Sequence, residues 1–182
     1  ILPPIEIPDT ARQPKLLTNP PSDEIVHEVV QFVEGGGSPV NYKWHTHTVP
    51  PAGARVVYLG RFRIPGVSRR PHLFAPCPCC TDHFPKYEFG YVAWFPEECV
   101  VRLMGGGCFK SLNPEGHEIA IKDLNRREAE RRAVEYLLAN LHTVETLERF
   151  VAENGQVAKS LDEVRQYALS HDGKRLPMQR LT

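Results

Sequence analysis

Cys77, Pro78, Cys79 and Cys80 stand together, His83 follows closely, and Cys108 comes next behind Gly105, Gly106 and Gly107. Thiolates buried side by side repel one another, and a cation is the usual means of holding several in one place. The two residues between Cys77 and Cys80 let both sulfurs of one turn converge on a single ion. Zn²⁺ takes four S or N ligands at about 2.0–2.3 Å in a closed tetrahedron. Cys77, Cys80, His83 and Cys108 are therefore the expected ligands, with Zn²⁺ as the expected cofactor. His83 lies as far beyond Cys80 as Cys80 lies beyond Cys77, which keeps three ligands on one loop. Cys79 and His117 are the alternatives, the first by replacing Cys77 and the second from the helix after Cys108. Cys99, beside Pro96-Glu97-Glu98, reads as an ordinary strand cysteine. A site closed by four protein groups is structural, because a catalytic zinc keeps a position open for water.

The remaining clusters offer less. His45 and His47 are two residues apart, so on a strand their imidazoles share a face. No third histidine or carboxylate follows at a telling distance, and a surface strand is the expectation. With His117 they are the candidates for a metal-dependent enzyme, the least favoured reading. Neither glycine triplet carries the Lys-Ser/Thr or the following helix that a phosphate loop needs. Arg69 and Arg70 precede the cysteine turn, and Arg126, Arg127, Arg131 and Arg132 stud a later helix. Joined on one face they would suit a phosphate backbone, with Tyr87, Tyr91 and Trp94 for stacking, and this nucleic-acid-binding or regulatory role is the runner-up.

Bulk composition narrows the classes. The 182 residues carry 22 basic and 22 acidic side chains, so no whole-protein field points to nucleic acid or to an anionic membrane. No apolar run approaches the ~20 residues of a membrane span, and no charged-then-apolar leader opens the chain. The 5 cysteines are odd in number and clustered, and adjacent Cys79 and Cys80 could scarcely serve separate disulfides. A reducing, cytoplasmic setting with a bound metal is the expectation.

The elements that must position these groups follow from punctuation and periodicity. Residues 1–23 are proline-rich and read as an extended arm, either a strap on its own domain or a segment that docks on a partner. Residues 24–113 read as a β-rich zinc-binding domain. Its N-terminal half is a β-meander, with strands over Glu24–Glu34, Val40–Val49 and Arg55–Ile64. The first of these is ambiguous: Ile25, Val29, Phe32 and Val33 suit a helix face, but the density of β-branched residues before Gly35 favours a strand. A hairpin follows over Phe89–Phe95 and Cys99–Met104, leading to the glycine knuckle before Cys108. Residues 114–171 are helical, with Asn113 as N-cap and Pro114 at the first position. Breaks are expected near Asn140 and at Asn154-Gly155, with a capping box, Ser160 and Glu163, opening a third helix. Lys122 to Arg132 is polar on nearly every face, as in a solvated helix laced by pairs such as Glu128 with Arg131 or Arg132, and from Val134 onward the pattern turns apolar. Residues 172–182 read as a flexible tail. The fold class is α+β.

The order of turn, hairpin, third ligand and helix resembles the treble-clef group of zinc fingers. Cys77-Pro78-Cys79-Cys80 matches its first knuckle, Phe89 to Met104 its hairpin and Cys108 its third ligand, a resemblance over roughly Pro76 to Ala133. That group would place its last ligand near Ser111, which binds zinc poorly, so His83 or His117 is implied instead. The expected role is a non-enzymatic, zinc-stabilised interaction or assembly module whose helical segment meets a protein partner or a second copy of itself.

Overall fold

The computed structural model describes residues 4–66, 74–81 and 83–170. The chain divides into two compact units at Ala129 and Glu130. In chain order the elements are α1 (Asp9–Arg12), α2 (Asp23–Glu34), a 3-10 turn (Pro39–Asn41), β1 (Val57–Arg63), β2 (Phe89–Phe95), β3 (Val100–Gly105), a second 3-10 turn (Cys108–Ser111) and α3 (Pro114–Ser170). The class is α+β, as the sequence implies.

The first unit is built on an antiparallel sheet of order β1-β2-β3. Val57 pairs with Trp94 and Arg63 with Phe89, while Gly90 faces Gly105 and Phe95 faces Val100. The hairpin stands where its residues place it. Every residue of β3 is buried. A strand buried on both faces needs cover on its open edge, because unpaired N–H and C=O groups otherwise recruit other chains. Residues 45–47 supply that cover: the Thr46 N–H donates to the Val101 carbonyl at 2.9 Å, and the Leu103 N–H donates to His45 Nδ1 at 3.0 Å. The expected strand over Val40–Val49 is thus a 3-10 turn followed by one isolated bridge from His45 to Val101.

The segment Asp23–Glu34 is a helix rather than the expected strand. Val26, Val29 and Val33 lie on one buried face, at the i, i+3, i+7 spacing. Branching at Cβ costs a helix a few tenths of a kcal/mol per residue, which burial of three valines outweighs. The helix sits on β1 over Gly60, where an added Cβ would stand 2.8 Å from Val26 Cγ1. Gly35 and the left-handed Gly36 (φ 99°) end it.

The proline-rich segment lies along the same unit. Ile5 N–H donates to the His83 carbonyl at 2.6 Å, the His47 N–H to the Ala11 carbonyl at 2.6 Å, and the Leu17 N–H to the Cys99 carbonyl at 2.8 Å. Four of its residues form the short helix α1, and Ile7 and Ala11 bury against Val40. It is a strap with one helical turn rather than a wholly extended arm.

Helix α3 opens as expected, with Pro114 first and the Gly116 N–H donating to Asn113 Oδ1 at 2.9 Å. It then runs unbroken, where three helices were expected. Polar side chains at the expected breaks bond back to the carbonyl four residues earlier: Asn140 to Tyr136 (2.7 Å), Asn154 to Phe150 (2.9 Å) and Ser160 to Gln156 (3.0 Å), and Thr146, within the expected second helix, does the same to His142 (2.7 Å). Within the first unit Ala120 and Leu124 are buried. In the second unit the large apolar side chains of the helix are exposed, between 42% at Val144 and 69% at Tyr136. The tail 172–182 lies outside the described residues. Among the described residues no helix is long and apolar enough to cross a membrane.

Candidate metal centre

Ala75 bridges to Tyr87 and Cys77 to Thr81, which folds the Cys-Pro-Cys-Cys segment into a tight knuckle beside the hairpin. Inside it the Cys80 and Thr81 N–H groups donate to the Cys77 carbonyl at 3.3 and 3.0 Å. From the other side β3 ends at Gly105, and the chain curls through Gly106, whose N–H donates to the Phe89 carbonyl at 3.0 Å. Cys108 opens the 3-10 turn, where its neighbour Phe109 is fully buried edge-on to Phe95, centroids 5.5 Å apart. An aromatic anchor next to the cysteine fixes where its thiol stands.

The Sγ atoms of Cys77, Cys80 and Cys108 all lie within 4.8 Å of one another. Cys80 Sγ and Cys108 Sγ are 3.4 Å apart. Four sulfurs at ~2.3 Å around a tetrahedral ion stand roughly 3.8 Å from each other, so the three thiols fit such an ion with little adjustment. Cys77 is fully buried and Cys80 exposed, which gives the cluster one wall in the core and one at the surface.

Electrostatics favour a thiolate at the centre. The Cys77 thiol is pushed down to about 3, first by a hydrogen bond from Cys108, then by one from Cys79, and further by the backbone N–H of Gly105, all against desolvation. Cys79 and Cys108 are pushed strongly up, above all because each donates to Cys77. One negative charge is thus shared among neighbouring sulfurs, and a second or third thiolate there calls for a cation. The buried Tyr58 and Tyr87 hydroxyls feel the same charge, both raised first by desolvation and then, among other groups, by the cysteines.

The expected fourth ligand, His83, is not part of this group; its exposed ring lies against Phe84, centroids 4.4 Å apart. Of the alternatives, Cys79 is buried beside Cys77, to which it is hydrogen-bonded, with its Sγ also 3.4 Å from Met104 Sδ, and it is not one of the three thiols that lie mutually within 4.8 Å. His117 Nδ1 and the Tyr58 hydroxyl are hydrogen-bonded at 2.7 Å, and burial lowers the His117 pKa. Cys99 sits at the hairpin turn with a left-handed backbone (φ 55°) and donates to the Pro96 carbonyl at 3.4 Å.

His45 and His47 are not on a surface strand. Both are buried, with His45 Nε2 and His47 Nδ1 2.9 Å apart, and they belong to the edge cover of β3. Sequence reasoning missed this because the signal is long-range: the partner is the backbone of Leu103. Arg102 was missed as well. It is 1% exposed, holds Glu98 with two hydrogen bonds at 2.7 and 2.9 Å, bonds to Thr48 twice at 2.8 Å and stacks over Phe95 at 4.5 Å.

The arginines named for nucleic acid are partly engaged within the chain. Arg126 and Arg127 bond to Asp123 at 2.8 and 2.9 Å, and Arg127 also reaches the Tyr58 carbonyl. Glu128 pairs with Arg61 at 3.5 Å, and Arg131 and Arg132 likewise have interactions. Arg69 and Arg70 lie outside the described residues. Comparison of the chain with protein-family models, with curated proteins and with solved structures found no match.

Proposed function

We propose that this chain is a non-enzymatic interaction or assembly module whose first unit is held together by a structural Zn²⁺. The observation that carries the reading is the convergence of Cys77, Cys80 and Cys108 from two separate segments. An ion there ties the knuckle to the turn that opens α3, so that metal binding and folding of this region are one equilibrium. The succession of knuckle, β2-β3 hairpin, Cys108 and helix supports a treble-clef-like description of residues 76–133. His83, three residues beyond Cys80, is the group we assign to complete the ligand set, which would leave the metal no open position for a substrate. The exposed apolar side chains of the second unit supply the assembly surface.

Metal analysis tests the reading. The purified chain should hold one Zn²⁺, and a chelator should lower its melting temperature. Cys77→Ser, Cys80→Ser and Cys108→Ser should each abolish stoichiometric metal and loosen the hairpin region, whereas Cys99→Ser should retain the ion. A chain purified without metal, whose melting temperature neither a chelator nor the three substitutions change, would overturn the proposal.

A further inference from the structure

Nine exposed apolar residues of α3 beyond Glu130 follow a repeat, with Tyr136, Leu138 and Phe150 exposed beside it. Steps of three, four and three residues lead from Val134 to Val144, and the same steps lead on to Asn154 and to Val164. The intermediate steps fall on Leu137 and Leu141, then Leu147 and Val151, then Val157 and Leu161. Every apolar member of this stripe is between 42% and 65% exposed. Ten residues in three turns is about 3.3 per turn against ~3.6 for a straight helix, so the stripe winds left-handed around α3. A partner that keeps the stripe covered must wind with it, more tightly than in a heptad coiled coil, whose seam repeats every ~3.5 residues.

Asn154 identifies that partner. It is the one polar side chain on the stripe between Val134 and Val164. Asn154 spends one N–H on the Phe150 carbonyl of its own helix, which leaves its second N–H and its Oδ1; two facing amides satisfy these for one another, whereas an apolar side chain opposite leaves them unpaired. A single asparagine in an apolar seam is therefore a mark of register and of pairing between like helices. In a parallel, in-register pair Asn154 meets Asn154. In an antiparallel pair centred on the same stripe it meets Val144, and each amide keeps only its bond to Phe150. Nine half-exposed apolar side chains per copy would remove on the order of 1,000 Å² from water, the area at which a specific interface becomes stable.

We infer that the chain forms a parallel, in-register homodimer through residues 134–164, with Asn154 of the two copies hydrogen-bonded across the seam. This rests on the reading of the chain as an assembly module and names its partner. Sedimentation and native mass spectrometry on the full zinc-loaded chain test it. Wild type should sediment as two chains, and Leu147→Glu should shift it to one while keeping helix content and metal. Asn154→Lys and Asn154→Glu should each weaken the dimer at least about tenfold. Mixed, they should form a one-to-one heterodimer, because only a parallel, in-register seam brings the two charges together. A metal-loaded monomer, any stoichiometry other than two, or charge variants that gain nothing on mixing would overturn the inference while leaving the metal reading intact. A monomer that also lacks metal would remove both.

Discussion

Arg102 and His45 show how differently two buried polar side chains can be kept. Arg102 carries its charge into the core because Glu98 and Thr48 occupy its guanidinium and Phe95 stacks beneath it. His45 is kept neutral. Its Nδ1 accepts from the Leu103 N–H, so the proton resides on Nε2 and is donated to His47 Nδ1. Desolvation, followed by His47, Lys15 and Arg102, holds the His45 pKa well below the ordinary histidine value of 6.5. The unfolded chain therefore takes up this proton first as pH falls. The stability tied to a neutral His45 is complete above about pH 6.5 and declines below it, by up to ~1.4 kcal/mol per pH unit, until the folded group itself titrates. Urea midpoints at pH 7.5, 6.5 and 5.5 should fall more steeply for wild type than for His45→Asn, whose Oδ1 can still accept from Leu103. Equal slopes would show that another group carries the acid sensitivity.

At the scale of elements, the glycine run after β3 decides how closely Cys108 approaches the knuckle. A Cβ on Gly105 would stand 2.8 Å from Cys108 Sγ and 3.1 Å from Tyr87 Cβ, whereas one on Gly107 would meet nothing within 4 Å. Gly105→Ala should weaken metal binding about 10- to 100-fold, the equivalent of ~1–3 kcal/mol of overpacking, and Gly107→Ala should leave it unchanged. Competition with a zinc-binding dye would separate the two. The same contrast explains what could be read in advance. The β2-β3 hairpin was legible because Val92, Trp94, Val101 and Leu103 are available for burial on either side of Pro96-Glu97-Glu98, and α3 opened where Asn113 and Pro114 indicated. Helix α2 was not, since its valines obey both periods and only Gly60 of β1, far along the chain, selects the helix. The edge cover at residues 45–47 depends on β3 being in place. The expected breaks in α3 failed because asparagine, threonine and serine satisfy themselves on the preceding turn as readily as they cap the next helix.

Across the whole molecule, local spacing named three thiols that the fold brings into one cluster, Cys77, Cys80 and Cys108, and chose His83 as the fourth ligand with Cys79 and His117 as alternatives. Spacing reports reach, not direction. Cys79 touches Cys77 and Met104 yet stands outside the group of three thiols that lie mutually within 4.8 Å, and His117 is hydrogen-bonded to Tyr58. In the proposed reading a metal would join the knuckle to the turn that carries Cys108, and the apolar stripe of the second unit would be the surface for a second copy. Titration of the metal-free chain with Co²⁺ tests the centre most directly, since thiolate-to-cobalt charge transfer counts sulfur ligands and visible bands report tetrahedral geometry. The account predicts saturation at one Co²⁺ per chain, a tetrahedral spectrum, displacement by Zn²⁺, and loss of charge-transfer intensity in Cys80→Ser and Cys108→Ser but not in Cys99→Ser. Absence of saturable binding, or a spectrum unchanged by loss of Cys108, would contradict it.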